Sequence, residues 1–291
     1  MRFFRSALPL FILAAAALLL FTPTRALGQY VVDCTGNTPG AYTTINSVIP
    51  LLTNGSVVRI TGPCTENVTI TGLANLNIGA PYGQSAALNG NLGLNSVQNL
   101  YLYGMNVGNG SGISINASSG VTLDHCTSSN SSSIGLNIGD SIVNVNGPAD
   151  FSNNGSYGIE VGGASDLNLN GYPGPITVDN NTGIGIELQD GILQAFSGNL
   201  IVTNTKAASM QITAPGFENG YGIQLLGHAR AVLYDWSPST LPPNVISGNQ
   251  GGGISLQEGS EVSVSGAMSS GSGPWQTNII DSNGPVGVYV G

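Results

Sequence analysis

Positive charge is almost absent from this chain, whose 291 residues include six Lys and Arg against fifteen Asp and Glu. Arg2, Arg5 and Arg25 fall within the first 28 residues; beyond them only Arg59, Lys206 and Arg230 remain, for a formal net charge of −12. Nucleic acid is excluded as a partner on that count, because duplex affinity comes chiefly from Lys and Arg neutralising phosphates. The same repulsion disfavours polyanionic sugars. Charged residues of either sign make up 7% of the chain, so its surface is polar without being ionic, which suits neutral partners and carbohydrate among them.

Metal ligands are equally scarce. The three Cys and two His form no pair at zinc-ligand intervals, and no run of Asp assembles a calcium site. "GNGSG" at Gly108 lacks the strand-to-helix setting and the Lys of a phosphate loop. Neither metal nor cofactor is expected.

Long apolar runs are missing too, with one exception at residues 8–21, which follows Arg2 and Arg5 and precedes the small residues Ala26 and Gly28. That order reads as a secretory signal peptide over residues 1–28. The run is short for a membrane span and has no successor, so the expectation is a soluble exported protein, extracellular or periplasmic. An odd number of cysteines follows the cut. Cys34 and Cys64 flank the first structural unit, and an oxidising compartment favours a bridge between them. Cys126 is left as a small apolar core residue.

What is abundant is repetition. Gly-apolar-x-apolar recurs seven times, at Gly112, Gly135, Gly158, Gly185, Gly222, Gly253 and Gly287, with spacings of 23, 23, 27, 37, 31 and 34 residues. A second column follows each start, "VTL" at Val121, "VNV" at Val143, "LNL" at Leu167, "LQA" at Leu193, "AVL" at Ala231 and "VSV" at Val262. Most of these alternate apolar and polar residues, as a half-buried strand does. A third column ends in Asn, as in "FSNN" at Phe151, "VDNN" at Val178 and "ISGN" at Ile246.

Three short strands per repeat with no helix between them predict an all-β right-handed parallel β-helix, in which each coil buries its inward residues only by stacking on the next. Asn at a corner tolerates the left-handed backbone and can hydrogen-bond from coil to coil. The predicted division is an N-terminal cap and first coil over 29–79, then stacked coils over 80–291 with the C-terminal coil incomplete. Ile45, Val48, Ile49 and Leu52 have helical spacing, which predicts a short capping helix ending near Pro50. An incomplete last coil predicts end-to-end self-association or a longer polypeptide.

The order "TI", predicted helix, "NGSVVRITG", "TENVTI" resembles the opening of secreted β-helix proteins of the pectin-lyase-like superfamily, and the columns from Leu100 to Val290 are similar to its repeats. The resemblance implies the fold for essentially the whole mature chain. It does not imply one activity, since that architecture hosts lyases, hydrolases, esterases, adhesins and non-catalytic repeats. The Asn-Thr-Asp, Asp-Asp, Gly-His-Gly and Arg-Ile-Lys motifs of its polygalacturonate hydrolases are missing. "LDHC" at Leu123 resembles the Ile-Asp-His segment of its pectate-lyase-like members and makes Asp124 and His125 the candidate catalytic positions, without the basic residues such lyases use.

Three corner insertions, "GYPGP" at Gly171, "YDWSPSTLPP" at Tyr234 and "GAMSSGSGPWQT" at Gly266, carry Tyr172, Tyr234, Trp236 and Trp275. Insertions at one point of successive repeats emerge along one edge, where aromatic rings suit neutral sugars. The reading that follows is an exported, non-catalytic glycan-binding or structural scaffold. Its alternatives are a divergent polysaccharide lyase or glycoside hydrolase, favoured by paired carboxylates in one groove, and a module of a larger surface assembly.

Overall fold

The computed structural model describes residues 28–196, 199–203, 205–206, 220–235, 243–266, 278–284 and 286–291. Apart from Gly28, the expected signal peptide lies outside them. Among the described residues, strands assemble into three sheets in which every pairing is parallel. Sheet A has ten strands, from Gln29–Asp33 to Glu261–Gly266; sheet B has nine, from Pro63–Thr65 to Ile279–Asp281; sheet C has nine, from Val68–Thr71 to Val288–Val290. The chain visits A, B and C in turn and then steps to the next coil. This is a right-handed parallel β-helix, the hand that parallel crossover connections almost always take. The Gly column is sheet C, the second column sheet A and the Asn-ended column sheet B.

Alternation along each strand sends one residue inward and the next out. In sheet A, Val121 pairs with Val143 and Leu123 with Val145, all fully buried, while Thr122 and Asp124 pair with the outward Asn144 and Asn146. Stacking extends this apolar column from Val32 to Leu256. Each aliphatic side chain taken fully out of water contributes about 1.5–3 kcal/mol.

The corners are held by polar rows. Where sheet B turns into sheet C, the two Asn of "FSNN" and "VDNN" divide the work. Asn153 and Asn180 take the left-handed backbone, with φ 58° and 56°. Asn154 and Asn181 turn inward instead, and the Asn154 amide N–H donates to Asn181 Oδ1 at 2.9 Å. Between sheets C and A, Ser118 N–H donates to Ser141 Oγ at 2.9 Å and Ser141 N–H to Ser165 Oγ at 3.1 Å. These bonds run along the solenoid axis and fix each coil to the next.

The N-terminal capping helix does not form. Only a single 3₁₀ turn, Ile49–Leu51, occupies that stretch. Its bonds are chiefly of the i to i−3 kind, Val48 to Ile45, Leu51 to Val48 and Leu52 to Ile49, and Pro50 has no N–H with which to continue an α-helix. The Glu66 carboxylate accepts from the Ile45 and Asn46 amides at 2.6 and 2.9 Å, holding the start of the segment from outside. The apolar residues behave as their spacing implied, with Ile45, Val48 and Leu52 buried in the core.

The Cys34–Cys64 disulfide is present, with Cα atoms 5.2 Å apart, and Cys126 is free and buried. Counted from sheet A, Val288–Val290 is the third strand of its coil, because the Gly column that guided the counting closes each turn. Its Val288 and Val290 are exposed. Among the described residues no helix is long and apolar enough to cross a membrane.

Candidate functional site

The coils differ in length both at the corner between sheets A and B and at the corner between sheets B and C. Four coils turn at the A–B corner in one or two residues, but residues 80–85 form a loop between Asn77–Gly79 and Ala86–Asn89, and residues 171–175 another between Asp166–Asn170 and Ile176–Asp179. The two longest A–B connections follow Arg230–Asp235 and Glu261–Gly266. The three insertions singled out from the sequence thus share the A–B corner, while a longer connection, between Leu200–Thr203 and Tyr221–Leu226, falls between sheets B and C.

A cleft of about 820 Å³ opens at the A–B corner. One wall is aromatic. Tyr82, at the tip of the 80–85 loop and 93% exposed, stacks on Tyr103 with centroids 5.6 Å apart and planes within 12°. Tyr103 continues the stack to Tyr101 at 6.4 Å and meets the His125 ring at 5.4 Å. The loop is anchored from both sides. Gly83 N–H donates to the Tyr103 hydroxyl at 3.0 Å, and Gly104, at φ 61°, lets the backbone pass where a Cβ would meet the Gln84 carbonyl at 2.6 Å.

Asp124 and His125 sit at the mouth of this wall. Asp124 is the last residue of the sheet A strand Val121–Asp124, and His125 makes the corner at φ 53°. His125 Nδ1 lies 2.5 Å from Asp124 Oδ1, and the other carboxylate oxygen accepts from the Tyr101 hydroxyl. Burial first, and then the Asp124 carboxylate, push the Tyr101 phenol well above the usual tyrosine range. An aspartate accepting from Nδ1–H leaves Nε2 with the lone pair, the arrangement of an oriented general base. His125 lines the cleft.

The floor comes from outward residues of sheet B, with Thr127, Asp150, Ser152, Thr177 and Asp179 on three successive coils. Ser152 Oγ donates to Asp150 Oδ1 and accepts the Asp179 amide N–H at 2.9 Å, so one hydroxyl ties the two acidic positions together. Asp179 also accepts from Thr203 at 2.8 Å. Asp150 pairs with Thr177, which places Asp179 on its diagonal. None of Arg59, Lys206 and Arg230 lines the cleft.

Of the residues singled out from the sequence, the structure brings Asp124 and His125 into this site. Tyr172 is exposed at the same corner without lining the cleft, and Tyr234 belongs to the sheet A strand Arg230–Asp235 rather than to a loop. Trp236 and Trp275 lie outside the described residues. Sequence reasoning missed Tyr82, Tyr101 and Tyr103 and the two floor aspartates. "YLYG" carried a signal, since residues two apart on a strand share a face. Among the described residues, Cys34, Cys64 and Glu66 are the one cluster of metal-ligating types, and its sulfurs are consumed by the disulfide.

Fold and site together define an acidic parallel β-helix protein with a lateral cleft, walled by tyrosines and floored by hydroxyls and carboxylates. No family model and no curated protein sequence matches the chain. Among solved structures it is similar to pectate lyase Pel9A, at 15% identity and a TM-score of 0.44, covering 79% of this chain and 68% of that one. It is also similar to the A-module of the Azotobacter vinelandii mannuronan C-5 epimerase AlgE4, at 13% identity and a TM-score of 0.41, covering 91% and 87%.

Proposed function

We propose that this is an exported β-helix protein whose corner cleft binds a linear, neutral glycan. The observation that carries the reading is the Tyr82–Tyr103–His125 wall standing over the hydroxyl and carboxylate floor. Flat rings take the apolar face of a sugar, and polar groups beside them take its hydroxyls. The cleft crosses five coils, whose four steps of roughly 4.8 Å give a run of about 19 Å, enough for a short oligosaccharide. Uronate chains are disfavoured because acidic side chains line the floor and no Lys or Arg does. Residues 1–28 and the Cys34–Cys64 bridge support export.

Calorimetric titration with soluble neutral oligosaccharides of the cello-, manno- and xylo- series tests it. Binding by at least one series, weakened tenfold or more in Tyr82→Ala and stronger than binding of a uronate oligomer, is expected. No heat at millimolar ligand, or an affinity indifferent to Tyr82→Ala and His125→Ala, overturns it.

Asp150 and Asp179 favour a second reading, glycoside cleavage. Diagonal neighbours on adjacent parallel strands, about 4.8 Å apart across and about 6.6 Å along, have Cα atoms about 8 Å apart, which puts two carboxyls in the span of roughly 5–9.5 Å used by glycoside-cleaving pairs. One would protonate the glycosidic oxygen as its bond to the anomeric carbon breaks. The other would take a proton from the attacking water. Release of reducing ends by the wild type, lost in Asp150→Asn and in Asp179→Asn with binding kept, supports cleavage; binding without release leaves the cleft a recognition site.

A further inference from the structure

Sheet C carries a second pair of carboxylates, on the face opposite in role to the cleft. Glu160 of Ile159–Gly162 and Glu187 of Ile186–Gln189 are paired in register on adjacent coils, both at outward positions. Parallel neighbours of this kind stand about 4.8 Å apart at the backbone. Glu187 is only 9% exposed and Glu160 is half-buried. The groups around them are neutral. Asn137 Nδ2 donates to Glu160 Oε2 at 3.2 Å, the Tyr157 phenol acts on Glu187, and Gln224, 3% exposed, follows Glu187 in the row. Beyond these, the row continues to Ser114 on one side and to Ser255 and Tyr289 on the other. Among the described residues no Lys, Arg or His acts on either glutamate.

Two negative charges cannot stand side by side in so dry a place without a compensating charge. Burial, and then the charge of Glu160, push the Glu187 carboxyl up to about 7, while burial raises Glu160 from its ordinary value. The same environment pushes the Tyr157 phenol up to about 12, burial first and the two glutamates after it, so Tyr157 stays a neutral hydroxyl across the physiological range.

The position of the pair gives it consequence. Glu160 belongs to the coil that carries Asp150 and Ser152, and Glu187 to the coil that carries Asp179. These are two of the three coils that form the cleft floor, and the ones that carry its aspartates, joined at the intervening corner by the Asn154–Asn181 bond. We propose that Glu160 and Glu187 hold a single proton between them as a pH-sensitive clasp on these two coils, closed when the proton is bound and strained by charge repulsion when it leaves. That the clasp also governs glycan affinity rests on the cleft reading above; the clasp itself does not.

The direction follows from linkage. Between the ordinary carboxylate value of 4.5 and about 7, the folded protein keeps a proton that the unfolded chain releases. Stability is therefore full below that window, falls as pH rises through it, and is level above.

The test is the melting temperature from pH 5 to pH 8.5 in chelator, for the wild type, Glu187→Gln and Glu160→Gln. The wild type is expected to lose several degrees across the window, and Glu187→Gln, which keeps the shape and removes one charge, to lose that slope and melt above the wild type at pH 8. A wild-type melting temperature level from pH 5 to pH 8, or a slope unchanged in Glu187→Gln, overturns the clasp. So does a profile flat in chelator and raised at pH 8 by millimolar calcium or magnesium, which assigns the pair to a cation. Neutral-oligosaccharide affinity followed over the same pH range reads the coupling separately, since its failure leaves the melting result standing.

Discussion

The imidazole of His125 is held by the carboxylate of the residue before it, with Nδ1 2.5 Å from Asp124 Oδ1, while the far side of that carboxylate takes the hydroxyl of Tyr101 from the preceding coil. Removing the carboxylate thus frees two rings at once. Asp124→Asn should keep the fold and leave His125 in place but no longer aimed, lowering stability by about 1–3 kcal/mol. Glycan affinity should drop less than in His125→Ala. Circular dichroism, thermal melts and calorimetric titration of the two variants check this order.

The Cys34–Cys64 bridge closes a separation of 30 residues and should stabilise by about 3–4 kcal/mol in the chain-entropy view. Reduction, or Cys34→Ser with Cys64→Ser, should lower the melting temperature accordingly. Cys126 should resist alkylation in the folded protein, since burial pushes its thiol up to about 12, and should react once the chain is unfolded. Intact mass before and after denaturation reads both outcomes.

Thr205 interrupts the inward row that Asn154, Asn181 and Asn249 otherwise occupy. Its amide N–H donates to Asn249 Oδ1 at 3.1 Å, but its own Oγ1 is buried without a partner. Asn has the reach that Thr lacks at this corner. Thr205→Asn should raise stability by about 1 kcal/mol, or about 2–4 °C in a chain of this size. A lower melting temperature would show that the corner has no room for the carboxamide.

Asp33 accepts from the Thr35 hydroxyl at 2.6 Å, the Thr35 amide at 3.0 Å and the Thr38 amide at 2.8 Å. Those bonds, Thr35 first, hold its carboxyl well below the ordinary value of 3.8. With a depressed folded value, its contribution is present above about pH 4 and is lost as the pH falls further. Acid unfolding of Asp33→Asn should therefore show a weaker dependence on pH below 4 than that of the wild type, in melts recorded from pH 2 to pH 5.

The fold was legible because a solenoid writes the same constraint many times. "GIEV", "GIEL" and "GIQL" each place two apolar residues inward around one outward residue, and all three become sheet C strands. The cap was misread because residues three apart share a face in a 3₁₀ turn as they do in an α-helix, and Pro50, without an N–H, cannot carry the α-helical bonding through. Asp124 and His125 were visible because they adjoin in sequence. Tyr82 with Tyr103, Asp150 with Asp179 and Glu160 with Glu187 were not, since their adjacency crosses coils of 21 to 29 residues whose length varies at the corners. The glutamates alone left a trace, as the outward letter of two aligned repeats.

The Ser118–Ser141–Ser165 and Asn154–Asn181 rows make each turn a template for the next, whatever number of residues its A–B corner contains. Register and loop content are thereby inherited separately. A segment such as residues 80–85 can be exchanged for another without moving Asp150 or Asp179, and gain or loss of one whole turn would change the length of the wall by about 4.8 Å while leaving every surviving row in step. Variation at that corner can therefore retune what the protein meets without re-solving how it folds.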